Sequence, residues 1–125
     1  MATHRGSCHC GRVVFEVEAE LADERILSCN CSICRRKGYL HLIVEPERFT
    51  LVEGEEALRE YRFNTRQAVH RFCDRCGIHP FYTPRSHPDK VSVNVRCLEG
   101  VDPAEVDAEA FDGANWEENV EDIQE

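Results

Sequence analysis

Seven of the eight cysteines in this chain fall into three tight groups, and that crowding limits what the chain can fold into. The groups are Cys8-His9-Cys10, Cys29-Asn30-Cys31-Ser32-Ile33-Cys34 and Cys73-Asp74-Arg75-Cys76-Gly77, with Cys97 alone. An even cysteine count in a short chain admits a disulfide framework. Cystines, however, are usually spread out so that they close loops, whereas these thiols sit one to three residues apart. No apolar stretch follows the first charges of Met1 to Cys8, so no secretory signal is expected to deliver the chain to an oxidising compartment. Metal ligation explains the crowding better.

A Cys-x-x-Cys turn brings two sulfurs to the separation that a tetrahedral ion needs, with bonds of about 2.3 Å. Gly77, directly after Cys76, permits the backbone that closes such a knuckle. One knuckle supplies two ligands, and Cys8 with Cys10 is the simplest partner for Cys73 with Cys76. A four-thiolate site is coordinatively closed and reads as structural zinc. The middle group differs. Cys29, Cys31 and Cys34 offer three sulfurs and no obvious fourth ligand, and three ligands plus an open position is the pattern of a reactive centre. The alternative is that Cys97 or a histidine fills the fourth place and closes a second structural site. Iron also takes thiolates, but zinc is the expectation for a site with no redox partner in view.

The rest of the chain reads as short strands. Val13, Phe15 and Val17 alternate with Val14, Glu16 and Glu18. Tyr39 to Val44, Phe49 to Val52, Tyr61 to Phe63, Val69 to Phe72 and Val91 to Val95 carry the same β-rich or alternating signal. Pro103 to Ala110 is expected to form a short helix, with Asp102 as its cap and Pro103 in its first turn. Phe111 and Trp116 are expected to anchor the tail. The expected fold is therefore mostly β, a single zinc-binding domain over 1–125, with a body of 1–98 and an acidic C-terminal segment of 99–125. The charge of −9 is lopsided: residues 1–98 sum to +2 and residues 99–125 to −11. That balance argues against nucleic acid as a partner, since phosphate binding needs a concentrated basic face. No apolar run approaches the roughly 20 residues of a membrane span, and a cytoplasmic location is expected. A structural zinc would help a small core, adding on the order of 10 kcal/mol of apparent binding energy to folding.

Gly6-Ser7-Cys8-His9-Cys10-Gly11, then Cys29 to Cys34, then Phe72-Cys73-Asp74-Arg75-Cys76-Gly77, in this order and spacing, resemble the glutathione-dependent formaldehyde-activating enzyme family. That family includes the centromere protein V domain. Phe63-Asn64-Thr65 and Phe81 to Ser86 resemble that branch in particular. The resemblance runs from about Gly6 to Trp116. It implies an Mss4-like β-tent with two zinc ions per chain: a structural one on Cys8, Cys10, Cys73 and Cys76, and a catalytic one on Cys29, Cys31 and Cys34. The implied activity joins formaldehyde to glutathione, giving S-hydroxymethylglutathione, and is classed as a carbon–sulfur lyase in reverse.

Hemithioacetal formation needs a thiolate nucleophile and a polarised carbonyl. Three thiolates leave zinc a weak Lewis acid, which favours capture of the substrate thiol over polarisation of the aldehyde. Glutathione carries two carboxylates, so cations are expected around it. Arg35, Arg36 and Lys37, directly after Cys34, are the local candidates for substrate binding, with Arg66 and Arg85 behind them. His9 reads as a spectator, His41 and His70 as half-buried strand residues, and His79 and His87 as exposed beside turn prolines. Tyr39, Phe63 and Tyr82 read first as core and second as pocket lining. Cys97 reads as a small buried hydrophobe or a reactive thiol. Two other functions compete: a non-catalytic zinc-stabilised protein-binding module using the acidic tail, and a thiol redox protein. The coordination of the middle cysteines separates them.

Overall fold

The structure, a computed structural model, describes residues 2–63 and 65–123, so Asn64 of the Phe63-Asn64-Thr65 motif lies outside the described residues. Ten strands are present among them: β1 (Ala2–Ser7), β2 (Val14–Ala19), β3 (Ile26–Cys29), β4 (Leu40–Val44), β5 (Phe49–Glu53), β6 (Leu58–Tyr61), β7 (Val69–Cys73), β8 (Phe81–Thr83), β9 (Val91–Asn94) and β10 (Ala108–Phe111). Two one-turn helices, α1 (Cys34–Lys37) and α2 (Trp116–Asn119), complete the regular structure together with several 3₁₀ turns. The mostly β fold expected from the alternation is the fold observed. No helix among the described residues is long and apolar enough to cross a membrane.

The strands form two sheets. β1-β2-β5 is antiparallel, and a second sheet runs β10-β3-β4-β9-β8-β7-β6. The main core lies between them. Phe15, Val17 and Ala19 of β2 meet Ile26 of β3, Leu40, Leu42 and Val44 of β4, and Val93 of β9. Glu16 and Glu18 stand on the other side of β2, as the period of 2 requires. Val14, expected outward with them, is buried instead. The pairing of β2 with β5 shifts register between Val14 and Phe15, and a bulge there breaks the alternation. Gly54 is fixed by the same junction. It has φ of +98°, and a Cβ would run into the Arg12 carbonyl and, at 2.6 Å, the Val13 Cα.

β4 is buried on both faces. Its even-numbered residues enter the core, while His41 and Ile43 point to the opposite side of the large sheet, where they line a cavity. An inner strand covered on both faces needs an almost unbroken apolar run, and Leu-His-Leu-Ile-Val supplies one with a single polar exception.

The helix expected over Pro103 to Ala110 is not formed. Asp102 does cap a turn, accepting the Ala104 N–H at 3.0 Å, but that turn is a 3₁₀ stretch ending at Glu105. The chain then extends into β10, which pairs in parallel with β3 from Ala108 opposite Ile26 to Phe111 opposite Cys29. The open edge of β3 outweighs local helix propensity, because it satisfies a row of backbone groups at once. Phe111 at the end of β10 and Ile123 beyond it pack on Leu27, with Trp116 and Ile43 beside them. The acidic segment is thus built into the second face of the sheet, and Phe111 and Trp116 are its apolar anchors.

Leu42 is 1% exposed at the centre of the core. Leu42→Ala is expected to lower stability by about 3 kcal/mol, read from urea unfolding of the metal-loaded protein.

Candidate metal centres and the cavity

The first thiol cluster joins two turns. Cys8 and Cys10 sit in the β1–β2 connection, where Gly11 (φ +83°) donates its N–H to the Cys8 carbonyl and Val13 donates its N–H to Cys8 Sγ at 3.4 Å. Cys73 ends β7, and its knuckle closes through Gly77 (φ +77°), whose N–H reaches the Cys73 carbonyl at 2.8 Å. Cys8 Sγ and Cys73 Sγ each lie 3.6 Å from Cys10 Sγ, and all four sulfurs, Cys76 included, lie within 4.8 Å of one another. Sulfurs at these distances are free thiols and not cystines, which need about 2.05 Å. Asp74 takes Arg12 at 3.4 Å from one turn and Arg59 at 3.0 Å from β6, so ion pairs outside the cluster reinforce the junction.

The second cluster is local. Cys29 ends β3, Cys31 follows in the turn, and Cys34 opens α1, whose left-handed C-cap is Gly38. The three sulfurs lie within 4.8 Å of one another. The Cys31 N–H donates to Cys29 Sγ at 3.5 Å and the Cys34 N–H to Cys31 Sγ at 3.4 Å. Their protons are shared unequally. Hydrogen bonds from Cys29 and then Cys34 hold the Cys31 thiol down to about 2, while Cys34 is pushed far up by Cys29, Cys31 and burial. One thiolate is stabilised by two neighbouring thiols, but a second and third charge need a cation between them. A thiophilic ion fits this donor set, and equally the four-sulfur set, because both supply only soft sulfur ligands at mutual distances one ion can span.

No histidine, fourth cysteine or carboxylate joins Cys29, Cys31 and Cys34 among the described residues. Cys97, weighed as a fourth ligand, lies elsewhere. It ends a 3₁₀ turn after β9, packs against the main core, and is pushed up to about 12 by burial and by the nearby Cys8 and Cys76. It belongs to the side of the four-cysteine cluster.

The three cysteines open onto a cavity of about 680 Å³. Its floor is the second face of the large sheet: Leu27, His41, Ile43, His70 and Tyr82. Its far wall is the C-terminal segment from Phe111 to Glu118. Asn30, between two cysteines, holds that wall in place. Its side-chain N–H donates to Asp112 Oδ1 at 2.9 Å, and its Oδ1 accepts the Ala114 N–H at 2.9 Å. Between them Gly113 lies so close to the cluster that a Cβ would overlap the Cys29 sulfur and meet Cys31 Cβ at 3.2 Å.

The floor is aromatic and kept neutral. His70 stacks on Tyr82 at 4.8 Å with Phe63 on its other side at 5.6 Å, and its Nδ1 is 3.1 Å from Lys37 Nζ. Lys37 lies over the Tyr39 and Tyr82 rings at 4.9 and 5.1 Å. Burial pushes Lys37 down to about 8 against the pull of Cys34 and Cys31. Burial, then the Lys37 charge, pushes His41 down to about 3 and His70 to about 4.

The basic run after Cys34 is therefore split. Arg35 and Arg36 are exposed, Arg36 donating to the Ser32 carbonyl at 2.7 Å, and neither lines the cavity. Lys37 is half-buried behind the Tyr39 and Tyr82 rings. Arg85 does line the cavity, stacked 3.7 Å above the Trp116 ring and 2.8 Å from Glu117. Arg66 is exposed with φ of +61°. Two exposure expectations are corrected: His87 is buried with Nδ1 2.8 Å from Ser86 Oγ, and His79 is half-buried against Phe72. Pro80, after His79, is fully buried and carries that turn inward, whereas Pro88, after His87, is exposed. Sequence reasoning missed Asn30, Gly113 and the roles of His41 and His70. The one available signal was a histidine interrupting the apolar run of β4.

A mostly β domain with one thiol cluster enclosed by two turns and another open to a cavity is the class that this fold and site define. Residues 3–114 match the family described as glutathione-dependent formaldehyde-activating enzyme, and the chain belongs to that family. A crystal structure of a Rhodobacter sphaeroides protein is similar, with 42% identity, a TM-score of 0.75, and 85% of this chain and 97% of that chain covered.

Burial pushes His79 down to about 4, with Lys37 adding to it, and its Nδ1 has no partner among the described residues. A histidine depressed in the fold contributes stability above its unfolded pKa, near 6.5, which is lost as pH falls toward 4. The melting temperature is expected to drop over that window. The drop should be shallower in His79→Phe, which keeps the packing on Phe72, when melting is followed by circular dichroism with metal in excess.

Proposed function

We propose that this chain catalyses the reversible joining of glutathione and formaldehyde to give S-hydroxymethylglutathione, a carbon–sulfur lyase reaction in reverse, with zinc at both thiol clusters. Membership of the glutathione-dependent formaldehyde-activating family supports the substrate pair. The observation that carries the reading is a three-thiol cluster without a fourth protein ligand among the described residues, set in the wall of a cavity of about 680 Å³. That volume suits a tripeptide-sized ligand. Cys8, Cys10, Cys73 and Cys76 hold the structural ion, and Cys29, Cys31 and Cys34 hold the catalytic one. When bound at the three cysteines, zinc supplies an open position that lowers the pKa of a substrate thiol.

The chain's own residues orient the rest of the substrate. Arg85 is the guanidinium on the cavity wall, and its fork suits a carboxylate that replaces Glu117. Arg35 and Arg36 act from the exposed rim, and Lys37 acts through the aromatic floor. Phe111, Trp116 and the Asn30-anchored turn form the wall beside the reacting end. The reducing cytoplasm suits two reduced thiol clusters.

Zinc analysis is expected to give two equivalents per chain, with Cys31→Ser losing one and keeping the fold, and Cys76→Ser unfolding. Millimolar glutathione should perturb amide resonances around Cys29 to Cys34, and no perturbation there removes glutathione as substrate. Two fully closed sites would instead favour the zinc-stabilised protein-binding module. Arg85→Gln is expected to raise KM for glutathione about 10-fold with kcat nearly unchanged, as a lost charge-assisted hydrogen bond would.

A further inference from the structure

His41 is a buried histidine with only half of its ring in use. It is 4% exposed, sits between core residues Leu40 and Leu42 in β4, and lines the same cavity as Cys29, Cys31 and Cys34. Its Nδ1 lies 3.1 Å from Ser92 Oγ and 3.2 Å from the Tyr82 hydroxyl. Its Nε2 is buried and has no partner among the described residues. A buried polar atom left unpaired is rare and unfavourable, and one on a residue that lines a cavity points to a ligand.

The surroundings choose the tautomer. Both hydroxyls converge on Nδ1, and neither has another acceptor among the described residues. A lone pair on Nδ1 lets one of them donate, while a proton there would leave both hydroxyl protons without an acceptor. The ring proton therefore belongs on Nε2. Burial, then the Lys37 charge, keeps the ring from becoming an imidazolium, against the pull of Cys31. The result is a neutral, fixed N–H donor. Tyr39 braces it from behind, with ring centroids 4.5 Å apart and its hydroxyl donating to the Ser92 carbonyl at 2.7 Å.

We propose that the His41 Nε2–H donates a hydrogen bond to the carbonyl oxygen of the aldehyde and to the hydroxyl oxygen of the product. This rests on the hemithioacetal reaction proposed above. In the forward step the thiolate sulfur forms a bond to the carbonyl carbon, and the C=O π pair moves onto oxygen. His41 stabilises that developing charge. The oxygen then takes one proton from solvent, equal to the one the thiol gave up, so the ring ends as it began. The sheet pleat divides the labour: the cysteines at the end of β3 and in the turn after it serve the sulfur, and β4 beside them serves the oxygen.

Two measurements test this on zinc-loaded protein. In ¹⁵N-histidine NMR of the wild type, His41 is expected to be neutral with the proton on Nε2 at pH 7. A proton on Nδ1, or an imidazolium, overturns the proposal whatever the activity. In exchange NMR between formaldehyde with glutathione and S-hydroxymethylglutathione, His41→Phe is expected to lower kcat about 100-fold with glutathione affinity within about threefold, and His41→Gln, which restores a side-chain N–H, to recover about 10-fold. Catalysis by His41→Phe within twofold of the wild type overturns the role of His41 alone. If the wild type itself catalyses no exchange, the reaction proposed above fails and this assignment falls with it.

Discussion

The two sheets are joined where the Cys8–Cys10 turn meets the Cys73–Cys76 turn. The first pair belongs to the small sheet and the second to the large one, so this contact closes the core between them. Around the sulfurs pack Val13, Ala57 and Phe81, which belong to three different parts of the chain. A domain of 125 residues has little core to spare, and a metal ion held by the thiolates across such a junction would stabilise it far more than any single apolar contact. Asp74, held by Arg12 and Arg59, supports the same corner from outside, but exposed ion pairs of this kind contribute little beside it.

With the small sheet fixed on one face, the other face of the large sheet becomes the floor of the cavity. The pleat makes this division strictly. Along β3 and β4, Ile26, Leu40, Leu42 and Val44 go to the core, while Leu27, Cys29, His41 and Ile43 go to the cavity. A slip of one residue in β4 would exchange His41 for Leu42 and destroy both surfaces, so packing of the core also fixes the chemistry of the cavity. The acidic segment then covers this face. Its contribution is a strand, two aromatic anchors and a glycine against the Cys29 sulfur, and its charge stands mostly on the outward side.

Much of this was legible locally. The three cysteine groups and their split into four and three followed from spacing, since a turn of two to four residues sets how far apart two sulfurs lie. Most strands followed from alternation, as in β2 and β9, or from a β-rich run, as in β4. Four were not anticipated as strands, β1, β3, β8 and β10, and the strand expected over Tyr61 to Phe63 instead lies earlier, as β6, and ends at Tyr61. β1 is polar, β8 is three residues long, and β10 has the composition of a helix but is captured by the edge of β3. The basic run after Cys34 shows the same limit. Its nearness to the cluster in sequence says nothing about which way a one-turn helix points its side chains, and Arg85, far away in sequence, is the arginine on the cavity wall.

The sequence by itself determined the donor chemistry and the family. Seven thiols in three ordered groups, with Gly77 after the last, admit few other uses, because ligand geometry is set within each turn. Only the tertiary structure decided what faces the open cluster. The cavity is assembled from β3, β4, β7, β8 and the C-terminal segment, elements that meet through strand pairing and burial and not through sequence proximity. That is why His41 and Gly113, unremarkable in the sequence, stand at the cavity, while Arg35 and Arg36 stand in solvent.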